Sequence, residues 1–158
     1  MAATTRRSAG ILLHRERDGT VEVLLGHMGG PFWSRKDEHA WSIFKGEHGE
    51  DEEPLAAALR ELGEETGLPV PTGTPMLLGE VKQPGGKRVT AWAIAGDADP
   101  EQIVSNTFTM EWPPRSGQQA EFPEIDRAAW FDLETARTKL VKAQAAFLDR
   151  LAEALGGA

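Results

Sequence analysis

The stretch from Gly46 to Pro69, GEHGEDEEPLAAALRELGEETGLP, is one-third acidic, and Glu61, Glu64 and Glu65 fall within five residues of one another. On a helix, residues at i, i+3 and i+4 stand one above the next, so this spacing gathers the carboxylates on one side. Like charges so placed cost about 0.2–0.5 kcal/mol per exposed pair, and more where water is partly excluded. Three explanations compete: a solvated acidic face, a surface that repels anions, or a site for a hard divalent cation. The last turns the repulsion into affinity, because such ions take several carboxylate oxygens at once.

The wider spacing separates them. Gly46, Glu52, Arg60, Glu61, Glu64, Glu65 and Gly67 occupy the fixed positions of the Nudix box, with Leu62 and Leu68 at its aliphatic positions. At about 7% usage per residue type, seven fixed residues recur by chance about once in 10⁸ start positions. On this motif the chain resembles the Nudix hydrolase superfamily, whose members cleave a pyrophosphate linkage in a nucleoside diphosphate joined to another group, using Mg²⁺ or Mn²⁺ and water.

Carried residue by residue, the resemblance implies that Glu61 and Glu65 are principal metal ligands and that Glu64 is a further ligand or the general base. Glu52 would support the metal shell, Arg60 would hold a box glutamate in its rotamer, and the Gly46 carbonyl would complete the coordination. Some members use a carboxylate outside the box, for which Glu121 and Glu124 are the candidates here. One departure is Phe44 in WSIFKGE, where many relatives carry proline. It implies a changed loop shape with the metal site intact.

The elements that must position these groups follow from local pattern. Pro54 to Thr66 is expected as a helix, with proline in the first turn, Gly67 as C-cap and Pro69 preventing continuation. Its Leu55, Leu59, Leu62 and Thr66 form a stripe expected to dock on a sheet, with the glutamates on the flank turned away. Gly63 sits mid-helix, with close packing as its only rationale. SAGILLHRERDGTVEVLLGHM and MLLGEVKQPGGKRVTAWAIAG read as hairpins turning at Asp18-Gly19 and Gly85-Gly86. AWSIFKGE, Thr107 to Trp112 and RAAWFDL read as further strands, and Glu134 to Leu155 as a helix. The expectation is a single domain over residues 1–158, α/β in class, a Nudix-like α/β/α sandwich with a mixed central sheet.

Substrate identity lies outside the box, on loops. The loop HMGGPFWSRKDEHAW offers Phe32 and Trp33 for stacking and Arg35 and Lys36 for phosphates, although Trp33 and Trp41 serve equally as caps on the core. EWPPRSGQQAEF, with Trp112 and Arg115, is a second such loop. Lys45 is a candidate phosphate contact, while Lys82, Lys87 and Arg88 read as solvated. The four histidines show no metal spacing.

Composition removes other classes. The absence of cysteine and tyrosine excludes thiolate sites, disulfides and tyrosine chemistry. A net charge of −8 argues against binding a nucleic acid polymer. The apolar run Ala9 to Leu13 is too short for a signal peptide or a membrane span, so a cytoplasmic protein is expected. The reading is a divalent-metal-dependent pyrophosphohydrolase for a small nucleotide-type substrate such as a nucleoside triphosphate, dinucleoside polyphosphate, ADP-ribose or nucleotide sugar. The alternative is a non-catalytic nucleotide sensor, and a homodimer is compatible with either.

Overall fold

A computed structural model describes residues 7–156. Its centre is the strand β1 (Arg7–Arg17), in which successive side chains are buried on opposite faces. Ile11 and Leu13 join one apolar cluster and Leu12 joins the other, as the two-residue period of a doubly covered strand requires. Asp18 and Gly19, with φ of 53° and 81°, turn the chain into β2 (Thr20–Met28). Two consecutive positive φ values suit the twist of a two-residue hairpin.

The strands β1 and β2 pair antiparallel only from Leu13 to Arg17 on β1. Below that point they part, and the segment expected as one strand fills the gap as two. Trp41–Ser42 forms β3 on the edge of β2, and Phe44–Glu47 forms β4 on Ser8 to Ile11 of β1. Beyond α1 (Pro54–Thr66), β5 (Met76–Lys82) and β6 (Arg88–Ala95) form the second hairpin. β6 runs parallel to β1, which makes the sheet mixed. β7 (Thr107–Glu111) and β8 (Gln119–Pro123) form a separate two-stranded ribbon, and β9 (Ile125–Asp132) returns to pair with β2.

Helices cover both faces, giving the expected α/β/α sandwich. α1 brings Ala57, Ala58 and Leu62 onto Ile11, Leu24 and Phe44. On the other face α2 (Leu133–Lys139) and α3 (Ala145–Ala154) place Ala136, Phe147, Leu148 and Leu151 against Leu12, Leu25 and Ile43. Among the described residues no helix is long and apolar enough to cross a membrane.

Two expectations change. The tail expected as one helix breaks at Leu140, whose backbone is extended (ψ 145°) and forms a bridge with Trp41 while Val141 N–H donates to Trp41 O at 2.9 Å. Satisfying the outer edge of β3 outweighs continuing the helix, because buried backbone groups must find partners. Gln144 then points inward, fully buried, and accepts from Ile43 N–H at 3.0 Å. The second change is β8, read as loop. Its alternation of Gln119, Ala120, Glu121 and Phe122 is the strand signal that its charges obscured.

α1 itself runs as expected. The Glu53 side chain accepts from Ala56 N–H at 2.9 Å, and Gly67 (φ 69°) caps the far end by donating to Gly63 O at 2.8 Å. Close packing does not explain Gly63, since a Cβ there would meet nothing within 4 Å. Gly63→Ala is therefore expected to raise unfolding stability by about 0.5–1 kcal/mol, the helix-propensity difference. Urea unfolding measures it, and a loss of stability would show a contact that the open space excludes.

Candidate active site

The glutamate flank of α1 does not turn away from the sheet. The buried residues of the helix are Ala57, Ala58, Leu62, Glu65 and Thr66, while Leu55 and Leu59 are only half-buried. Two alanines let the helix approach closely, and β4 rises against the row that carries Glu61 and Glu65. These carboxylates therefore lie in the seam between helix and sheet. Glu65 is 7% exposed, and its Oε1 accepts from Lys45 N–H at 2.9 Å. Burial, and then the neighbouring charge of Glu61, push its carboxyl up to about 8. The Glu61 carboxyl is also raised, by burial and by Glu64.

Gly46 is the residue on β4 that makes this possible. An added Cβ there would overlap the Glu61 carboxylate. The glycine is thus a cradle for that side chain, a role that the motif spacing alone does not disclose.

Arg60 holds the opposite side of the cluster. Its Nε and Nη2 donate to the two oxygens of Glu52 at 2.7 and 2.9 Å, while Nη1 donates to Glu61 at 3.1 Å and to Glu64 at 3.0 Å. One guanidinium thus joins three carboxylates, using the planar fork that a lysine lacks. The hydrogen bond from Arg60 holds the Glu52 carboxyl below its ordinary value, and that to Glu52 in turn raises Arg60. Among the described residues no three carboxylates or imidazoles are already drawn together as a ligand set. Arg60 supplies the countercharge instead.

These groups open on a cavity of about 290 Å³. Glu61, Glu64, Glu65, Gly46 and Lys45 line it; burial lowers the Lys45 pKa. Of the two carboxylates proposed from outside the box, Glu124 lines the cavity and Glu121 does not, standing exposed on β8. Burial raises the Glu124 carboxyl. Its placement is a backbone matter: Glu124 N–H donates to Asn106 O at 2.9 Å, and Asn106 N–H donates to Glu64 O at 2.8 Å at the end of α1.

Lys87, read only as solvated and indeed exposed, and Asn106, not singled out in the sequence, also line the cavity. Lys87 follows a hairpin turn that reads as solvated, and only the pairing of β6 beside β1 brings it there. Conversely, Trp33, Arg35 and Lys36 are not brought to the cavity. Trp33 packs against the core on the α3 face, with the Lys36 ammonium 5.2 Å from its ring, and Arg35 is exposed. Trp41 caps the core, its indole N–H donating to Asp37 at 2.9 Å. The buried His27 is bonded to Asp126 and to Lys36 O, away from the cavity.

A profile of the NUDIX domain matches residues 4–151. The chain belongs to the Nudix family. It is an enzyme of the pyrophosphohydrolase class. No curated protein matches the sequence. Among solved structures, the Nudix fold here is similar to the Ap4A hydrolase of C. elegans in a binary complex, with TM-score 0.68, 20% identity, and 97% of this chain and 99% of that one covered. It is similar to the NUDIX domain of Shewanella oneidensis NrtR complexed with ADP ribose, at TM-score 0.67 and 15% identity over 98% and 90% of the chains. It also resembles RenU, a Nudix hydrolase from M. smegmatis, at TM-score 0.60 and 26% identity over 96% and 86%.

Two outcomes test this geometry. Gly46→Ala should displace the Glu61 carboxylate and lower kcat/KM at least about 100-fold, the scale of a misplaced reacting group, while circular dichroism stays that of a folded protein; unchanged turnover would remove Glu61 from the site. The second concerns pH. Between its ordinary value of 4.5 and about 8, folded Glu65 keeps a proton that the unfolded chain releases. Its contribution is thus fully present below 4.5 and lost as pH rises to 8. The Tm in EDTA should therefore fall across this window in the wild type, and fall less in Glu65→Gln, where the raised carboxyls of Glu61 and Glu124 remain.

Proposed function

We propose that this Nudix enzyme hydrolyses a diphosphate linkage in a nucleotide-type substrate, assisted by Mg²⁺ or Mn²⁺ held by Glu61, Glu65 and Glu64 beside Gly46. The observation that carries the reading is one cavity lined at once by those three carboxylates, by Glu124, and by Lys45 and Lys87. The donor set suits a hard divalent ion: all oxygen, crowded enough to raise two carboxyls, and cradled by a glycine that leaves room for Glu61. Likeness in fold to an Ap4A hydrolase and to the NUDIX domain of NrtR complexed with ADP ribose supports the nucleotide class.

When bound, the cation supplies countercharge for the phosphates and lowers the pKa of coordinated water. The chain's own residues do the rest. Lys45 and Lys87 give the cavity two ammonium groups that meet phosphate oxygens and orient the linkage. Arg60 keeps Glu52, Glu61 and Glu64 in fixed rotamers, so that no reorganisation is needed during reaction. Water attacks phosphorus, the anhydride P–O bond breaks, and the leaving phosphate departs with that oxygen's electron pair. A carboxylate takes the water's proton. Glu64 and Glu124 are the two candidates, the first accessible on the helix and the second also lining the cavity.

Turnover of nucleoside triphosphates, dinucleoside polyphosphates, ADP-ribose and nucleotide sugars with Mg²⁺ or Mn²⁺ tests the reading. At least one should be cleaved, with activity abolished by EDTA and restored by the metal. Glu65→Gln should lower kcat about 10²–10⁴-fold, and so should whichever of Glu64→Gln or Glu124→Gln removes the base. Silence on the whole panel, or full activity in Glu65→Gln, would overturn it.

A further inference from the structure

Glu124 is the single residue between β8 and β9, two strands that belong to different sheets. Inside a strand, alternation settles which way a side chain faces. At this bend no such rule operates, and the pairing of β9 with β2 is itself irregular there, Met28 lying opposite Ile125 and His27 opposite Arg127. The direction of the Glu124 carboxyl must come from what holds its backbone. Gly29 N–H donates to Glu124 O at 2.9 Å, and Glu124 N–H donates to Asn106 O at 2.9 Å. The third hold is the Ser105 hydroxyl, which donates to Asn106 O at 2.7 Å and accepts from Ile125 N–H at 3.0 Å. A carbonyl oxygen takes two donors and a hydroxyl both gives and accepts, so these four groups close a ring. Ile125 is buried, and a buried N–H left without its partner is costly.

Ser105 is in turn fixed to α1. On one side of it Val104 N–H donates to Thr66 O at 2.9 Å, and on the other Asn106 N–H donates to Glu64 O at 2.8 Å. Both acceptors are carbonyls of the last helical turn, which have no partner within the helix. The ring therefore sets Glu124 against the helix that carries Glu61, Glu64 and Glu65. The two candidate bases differ in what occupies their oxygens. Glu64 is already committed to Arg60, whose Nη1 donates to its Oε1 at 3.0 Å. The Glu124 carboxylate accepts no hydrogen bond among the described residues; burial raises its pKa, opposed by the charge of Lys45. It lines the cavity with its oxygens unclaimed.

We infer that Ser105 is a positioning residue, its hydroxyl holding the Glu124 carboxylate where it takes the proton of the attacking water. This rests on the pyrophosphohydrolase reading above and assigns the base of that same site. As the water oxygen bonds to phosphorus, its proton passes to Glu124, and the electron pair of the broken anhydride P–O bond leaves with the departing phosphate. Ser105 itself does not line the cavity, so its hydroxyl acts through Glu124. A base held in this way needs no rearrangement at the moment of attack.

The test is steady-state kinetics with Mg²⁺ on whichever of diadenosine tetraphosphate, ADP-ribose, ATP and UDP-glucose the wild type cleaves. The variants are Ser105→Ala, Ser105→Thr, Glu124→Gln and the double variant of Ser105→Ala with Glu124→Gln. Ser105→Ala should lower kcat about tenfold with KM held, and Ser105→Thr, which keeps the hydroxyl, should restore it. In the Glu124→Gln background, where the base is gone, Ser105→Ala should cost nothing more. An unchanged kcat in Ser105→Ala overturns the inference. So does an equal loss in both backgrounds, which would make the hydroxyl a general support of the fold. Wild-type kcat in Glu124→Gln also overturns it and leaves the hydrolase reading standing with Glu64 as base. A wild type silent on all four substrates overturns both.

Discussion

Carboxylates crowded into the seam between α1 and β4 repel one another, and the local structure is arranged around offsetting that repulsion. Arg60 spans Glu52, Glu61 and Glu64 with one planar cation, and the Lys45 N–H meets the most buried member, Glu65. Protonation offsets the remainder, since a carboxyl pushed up to about 8 spends much of the neutral range uncharged. On the function proposed above, the same crowding that costs stability in the free protein would favour an added divalent charge.

Close approach is the second requirement, and small residues meet it. Ala57 and Ala58 let the helix settle onto the sheet, and Gly46 leaves the volume that the Glu61 carboxylate takes up. The parting of β1 and β2 below Leu13 admits β4 at that place. A sheet that remained paired along its full length would leave no strand to carry Gly46 and Lys45 under the helix. The chemistry is therefore tied to an irregularity in strand pairing rather than to a loop laid over a finished scaffold.

The reach of the site beyond the box depends on backbone bonds between segments far apart in sequence. Asn106 links the end of α1 to Glu124, and Glu124 links onward to Gly29. These contacts carry no side-chain signature, which is why Glu124 and Glu121 were indistinguishable as candidates, why Lys87 was read only as solvated and why Asn106 was not singled out. The aromatic loop shows the same limit. Phe32, Trp33, Arg35 and Lys36 are neighbours in sequence, yet Trp33 packs toward the α3 face of the sheet and Phe32 toward the ribbon.

What the amino-acid order determined by itself was whatever is set within a turn or two of chain. The bounds and C-cap of α1, both hairpin turns and the clustering of Glu61, Glu64 and Glu65 follow from spacing and from the φ preferences of proline and glycine. Motif spacing was enough for the family. Tertiary structure alone decided which way the acidic flank faces, because an amphipathic helix carries several plausible inner stripes and the sheet selects one by shape. It likewise decided the break at Leu140, where the edge of β3 offered the backbone better partners than another helical turn. The division has one physical reason: local geometry is fixed by neighbours along the chain, whereas burial and long-range hydrogen bonds exist only once distant segments have met.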